Sequence, residues 1–108
     1  MNVKLIYIRD QRNERLKWVH SLVYSITLIL FCASLDEYDL TLSEDDPTNR
    51  MMDALTFFEE ICQNTLFKST PVVLFLNKRD LFEEKIKWVD LKCCFDNYEG
   101  MFHARFLC

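Results

Sequence analysis

Hydrophobic and polar positions run along this chain in blocks whose period changes from block to block. Residues 3–8 are apolar at most positions and predict a first strand. The next block is the most charged: Arg9, Arg12, Arg15 and Lys17 are set against Asp10 and Glu14. Trp18, Val19, Leu22 and Val23 add apolar positions one helical turn apart, so residues 12–22 predict an amphipathic helix. Residues 26–33 return to a continuous apolar run, a second buried strand, and residues 34–46 read as an acidic loop. Asp46-Pro47 has the form of a helix start, with Asp46 as N-cap and Pro47 at the first helical position. Met51, Leu55, Phe58 and Cys62 then recur at helical spacing, with Ile61 widening the stripe and Glu59, Glu60 and Gln63 facing away. Pro71 opens a third strand at residues 72–76, apolar throughout and so expected to be buried on both faces. Residues 81–87 predict a short helix with Glu83 and Glu84 early and Lys85 and Lys87 late, as the helix dipole favours. Residues 88–100 read as loop and turn. Strands alternating with helices predict an α/β fold of three mainly parallel strands with flanking helices.

Composition narrows this picture. A length of 108 residues allows one domain, residues 1–108, and a hydrophobic fraction of 50% is enough to build a core. The net charge of -4 argues against nucleic acid as a partner. Residues 18–35 carry no charge over 18 positions, which touches the lower limit for a membrane span. His20, Ser21, Ser25 and Thr27 interrupt that run, and no span is expected. Five cysteines, an odd number without a C-x-x-C, read as reduced thiols of a cytosolic protein, with Cys32 and Cys62 partly buried on apolar faces. Asp36, Glu37, Asp39, Glu44, Asp45 and Asp46 do not follow calcium-loop spacing, and no metal site is expected from them.

The candidate chemistry sits at the end of the third strand. Asn77, Lys78 and Asp80 fall where a parallel strand leaves the core, the place where open α/β sheets put their ligands. Asn-Lys-x-Asp has the residue types that read guanine. A carboxylate at Asp80 can accept from both the ring N–H and the exocyclic amine, whereas adenine presents an acceptor at that ring nitrogen. The Lys78 stem can lie along the base, and the Asn77 amide can tie neighbouring loops. A polar strand end turning into a helix is the alternative that these four residues leave open. Gly100 is the single glycine, so no glycine-rich phosphate loop can be written in the sequence.

Further segments carry a resemblance. Residues 11–18 (Gln11 to Trp18), residues 34–40 after the second strand, Asn49-Arg50-Met51, residues 74–86 and Tyr98-Glu99-Gly100 together resemble heterotrimeric G protein alpha subunits. The likeness extends from about residue 3 to residue 100 and corresponds to the central part of the family's Ras-like GTPase domain. It implies a partial Ras-like P-loop NTPase fold and GTP or GDP as ligand. It implies guanine contacts at Asn77, Lys78 and Asp80, and a water-orienting glutamine at Gln11. It also implies a G protein beta-gamma dimer as partner, met by Arg12, Arg15, Lys17 and Trp18.

Departures from the family pattern change what is expected. Where the family has aspartate, an apolar residue and two glycines before its glutamine, this chain has Tyr7, Ile8, Arg9 and Asp10. Tyr7 cannot serve Mg²⁺ as a carboxylate does, and Asp10 brings negative charge toward phosphate, so the Mg²⁺ site is expected not to be intact. The family's phosphate loop, its central strand, its catalytic arginine and its C-terminal receptor-reading helix have no counterpart here, which makes receptor coupling doubtful. Met1 is followed by Asn2, not by the glycine of a lipidation signal. The expectation is a cytoplasmic, alpha-subunit-like protein of receptor-coupled signalling, membrane-peripheral only through a partner. It would bind guanine nucleotide weakly or not at all and would not hydrolyse GTP alone. A non-catalytic beta-gamma-binding module and a non-functional truncated isoform are the alternatives.

Overall fold

Strand β1 (Ile29–Ser34) and strand β4 (Val72–Asn77) pair in parallel, with Ile29 opposite Val72 and Ser34 opposite Asn77. The computed structural model that shows this describes residues 2–8, 17 and 25–99. Between these strands run an antiparallel hairpin, β2 (Thr41–Ser43) and β3 (Asp46–Asn49), and helix α1 (Arg50–Gln63). Helix α2 (Arg79–Lys85) follows β4 after one residue. Short 3-10 turns at Leu35–Glu37, Thr65–Phe67 and Leu91–Cys93 complete the described elements.

Helix α1 covers part of one face of the parallel pair, over β1 and the start of β4. Residues opposite one another in the ladder share a face, so Ile29, Phe31 and Ala33 lie on the same side as Val72, Leu74 and Leu76. On that side Phe31 packs with Phe57, Ile61 and Phe67, and Ile29, Ala33 and Val72 pack against the cluster. Phe31 meets Phe57 and Phe58 edge-on, with centroids 5.5 and 5.2 Å apart, geometries that the ring quadrupole favours. A second cluster joins Tyr38, Phe82 and Ile86 beneath α2.

Several expectations are corrected. Residues 3–8 form no strand: Val3, Leu5 and Tyr7 are 75%, 82% and 89% exposed, since β-propensity makes no strand without a ladder partner. The parallel sheet among the described residues therefore has two strands, not three. The acidic loop contains the β2–β3 hairpin, in which Asp46 N–H donates to Ser43 Oγ across the turn. Asp46 and Pro47 belong to β3, where an edge position tolerates a residue without an N–H.

Helix α1 instead begins at Arg50. Its N-cap is Asn49, whose Oδ1 accepts from the N–H groups of Met51 and Met52 at 2.9 and 3.1 Å. The fully buried positions are Asp53, Phe57 and Ile61; of the expected stripe Ile61 is buried, Met51 and Phe58 are partly buried against the two clusters, and Leu55 and Cys62 are exposed. Strand β4 is not buried on both faces: on the α1 side only Val72 is covered, with Leu74 and Leu76 43% and 55% exposed, and the opposite side carries no cover among the described residues. Leu30, Val73 and Phe75 lie exposed there, with Cys32 between them. Helix α2 starts two residues earlier than expected. The predicted helix at residues 12–22 lies outside the described residues except for Lys17, an exposed turn position.

Candidate functional site

The parallel register brings Ser34 and Asn77 side by side at the carboxyl ends of both strands. From there the chain turns through Lys78 into α2. Asn77 Oδ1 accepts the Lys78 N–H at 2.8 Å, fixing the turn locally. Lys78 takes the left-handed conformation, with φ 60° and ψ 39°, the one positive φ at a non-glycine residue in the described chain. For an L-residue with a Cβ that conformation costs roughly 1–2 kcal/mol. Such strain persists where the surroundings over-determine it. Its effect is to turn the chain sharply at the strand end, so that Lys78, Arg79 and Asp80 all lie exposed just outside the sheet.

Helix α2 then sets the direction of Asp80. The Phe82 N–H donates to the Lys78 carbonyl at 3.0 Å and closes the first turn. Arg79 Nε pairs with Glu83 Oε1 one turn on, at 2.7 Å, which leaves the Asp80 carboxylate to solvent. Phe82 and Ile86, spaced one turn apart, are buried against Tyr38. Asp80 precedes Phe82 by two positions, about 200° around the helix, so it faces away from the core.

Tyr38 is the residue that the sequence did not single out. Its side chain is fully buried, its hydroxyl donates to the Val89 carbonyl at 2.6 Å, and its ring stands edge-on to Phe82 at 5.4 Å. Burial, with the Asp39 carboxylate adding to it, pushes its hydroxyl pKa up to about 12. A signal existed: it is the only aromatic residue between Phe31 and Phe57. Lys85 Nζ lies 5.9 Å from the Tyr38 ring centroid, donates to the Asp36 carbonyl at 2.5 Å and pairs with Asp39 Oδ1 at 2.8 Å.

Gln11, Arg12, Arg15 and Trp18 lie outside the described residues, so the structure joins Asn77, Lys78 and Asp80 at one strand end and adds only an exposed Lys17. Among the described residues no group of His, Cys, Asp and Glu is placed to hold a metal ion, and no helix is long and apolar enough to cross a membrane. Cys32, Cys62, Cys93 and Cys94 are free thiols. Burial pushes the pKa values of Cys93 and Cys94 up, away from nucleophilic chemistry. Cys32 and Cys62 are exposed rather than partly buried.

A parallel strand pair bridged by a helix, with a polar turn at the carboxyl ends of the strands, defines an α/β protein. The family model described as "G-protein alpha subunit" matches residues 1–104, and the chain belongs to that family. It is 49% identical over 100 residues to the guanine nucleotide-binding protein G(o) subunit alpha of Lymnaea stagnalis, of Locusta migratoria and of Caenorhabditis elegans. The matched stretch is 93% of this chain and 28% of each relative. The chain thus spans little more than a quarter of the length of these relatives.

Proposed function

We propose that this chain is an alpha-subunit-like protein of receptor-coupled signalling that reads the guanine base through Asn77, Lys78 and Asp80 and does not hydrolyse GTP alone. The observation that carries the reading is the Asn77–Asp80 turn. It stands at the carboxyl end of a parallel strand, with Lys78 strained and Asp80 exposed on the outer side of α2. Asp80 accepts the two N–H donors of the guanine edge, and the Lys78 stem lies along the base. Hydrolysis needs donors around phosphate, a metal and a positioned water. Tyr7 and Asp10 stand where the family pattern supplies a metal carboxylate and a phosphate-facing glycine. Base contacts alone offer charge-assisted hydrogen bonds of about 1.5–3 kcal/mol each before ordering costs. The affinity for GDP is therefore millimolar or weaker, on the order of 4 kcal/mol.

The test is a titration of the isotope-labelled chain with GDP and with ADP, followed at the amides of Lys78–Phe82. Saturable shifts with GDP, much smaller shifts with ADP, and their loss in Asp80→Ala support the reading. Equal response to both nucleotides overturns it.

The exposure of Lys17 favours a second reading, a beta-gamma-binding module. Loss of beta-gamma capture on Lys17→Glu, with the melt unchanged, would support it.

A further inference from the structure

We propose that Lys85 is a positioning residue for guanine recognition: held by the loop after β1, it fixes α2 so that Asp80 meets the base edge in one orientation. The inference rests on the guanine reading above. Its starting point is how little else orients α2. The helix has seven residues, its N-cap Lys78 makes no side-chain cap, and Leu81 on its surface is 50% exposed. A helix so short has no stability of its own and takes its direction from what it packs on. Phe82 and Ile86 set its rotation by packing with Tyr38, with Leu35 and Met51 beside them, but apolar contacts are non-directional and leave the direction of the helix free.

Lys85 removes that freedom. It stands at the last position of α2, and its ammonium meets three groups from one short segment, residues 36–39. It donates to the Asp36 carbonyl at 2.5 Å and to Asp39 Oδ1 at 2.8 Å, and it lies 5.9 Å from the centroid of the Tyr38 ring. Neither partner of the ion pair is open to full solvent screening: the Lys85 and Asp39 side chains are 26% and 22% exposed. The same segment is tied to the start of α1, where Asn49 Nδ2 donates to the Tyr38 carbonyl at 2.6 Å and Arg50 pairs with Glu37 at 3.3 Å. It also continues β1 directly. The frame on which Lys85 draws is therefore the strand whose end faces Asn77. One ammonium couples the far end of α2 to the strand end beside which the base would sit.

Lys85 touches no base-contacting atom, so its role is separable from that of Asp80. In Lys85→Met the stem keeps its packing and the ammonium is lost. GDP affinity is expected to fall roughly fivefold and the preference for GDP over ADP to narrow, because an unanchored carboxylate must be ordered on binding. Amide hydrogen exchange in the free protein should quicken at residues 80–82 while the β1 and β4 amides keep their rates. Lys85→Arg, which retains charge and donors, should recover most of the affinity, and Asp39→Asn should fall between. These two variants decide the matter if Lys85→Met fails to fold.

Unchanged GDP affinity in Lys85→Met, alongside lost binding in Asp80→Ala, would overturn the positioning role and leave the guanine reading standing. Equal acceleration of exchange in β1, β4 and α2 would reduce Lys85 to a general stabiliser and overturn it too. No saturable response of the unaltered chain to GDP would remove both.

Discussion

The hydroxyl of Tyr38 donates to the carbonyl of Val89 at 2.6 Å, joining residues 51 positions apart. Tyr38 is the only large side chain below 2% exposure in the described structure. Its removal therefore strikes the second core cluster at its centre. Tyr38→Phe should cost about 1 kcal/mol, the net worth of one hydrogen bond with its acceptor left behind. Tyr38→Ala should cost about 3–5 kcal/mol, enough to unfold a chain of ordinary stability. Urea unfolding of both variants checks the ratio. Equal losses would mean that the ring contributes nothing beyond its hydroxyl.

The same residue predicts an alkaline limit. Its folded pKa of about 12 stands above the ordinary value of 10.0. Below pH 10 both folded and unfolded chains hold the proton, and the stabilisation is complete. Between about pH 10 and 12 the unfolded chain releases the proton first, so stability falls as pH rises, by about 1.4 kcal/mol per pH unit. Cys93 and Cys94, whose pKa values are also raised, act in the same direction above the ordinary thiol range. Melting across pH 9 to 12 should show this decline, and Tyr38→Phe should flatten its upper part.

Lys78→Gly separates fold from recognition. Glycine takes the left-handed conformation without strain, a gain of roughly 1–2 kcal/mol partly offset by its greater unfolded freedom. The variant should melt at or above the parent temperature and bind GDP more weakly, for want of the stem along the base. A lower melting temperature would show that the Lys78 side chain supports the fold.

Phe57 and Leu55 test the face of α1 that carries the load. Phe57 lies in the first cluster, 5.5 Å from Phe31, and Phe57→Ala should cost about 3–5 kcal/mol. Leu55 is 38% exposed, and Leu55→Ala should change stability by about 0.5 kcal/mol or less. The reverse order would restore the stripe read from spacing alone.

The side of the sheet left uncovered among the described residues predicts self-association. Leu30, Val73 and Phe75 are 47%, 40% and 52% exposed on one face, and β4 carries no charge. An apolar strand of this kind is a template for pairing with another chain. Sedimentation should show concentration-dependent association that Phe75→Lys reduces. A monomer at all concentrations would contradict it.

Local sequence made some of this structure legible and hid the rest for identifiable reasons. Strands β1 and β4 announce themselves as apolar runs, and the polar turn at Asn77–Asp80 stands at the strand end where its spacing placed it. Asp46-Pro47 satisfies the local rule for a helix start, yet α1 begins at Arg50. Asn49 prevails through a contact no local rule contains, its amide reaching the Tyr38 carbonyl. Of the stripe Met51, Leu55, Phe58 and Cys62, Met51 and Phe58 pack against the two clusters while Leu55 and Cys62 are exposed, because the helix turns its Asp53, Phe57 and Ile61 face toward Phe31 on a distant strand. Residues 3–8 have strand composition, but a ladder partner is not a property of six residues. Local sequence makes Lys85 a dipole-favoured terminal lysine; its partners at residues 36 and 39 are 49 and 46 positions away.

The apolar face of the β1–β4 pair, which no described residue covers, bears on the life of the chain in a cell. Exposed strand surface is what folding helpers bind and what degradation machinery captures when nothing shields it. With that face uncovered, clearance as much as synthesis is expected to set the level of this chain in a cell. A companion that shields Leu30, Val73 and Phe75 would lengthen its lifetime before it altered any chemistry.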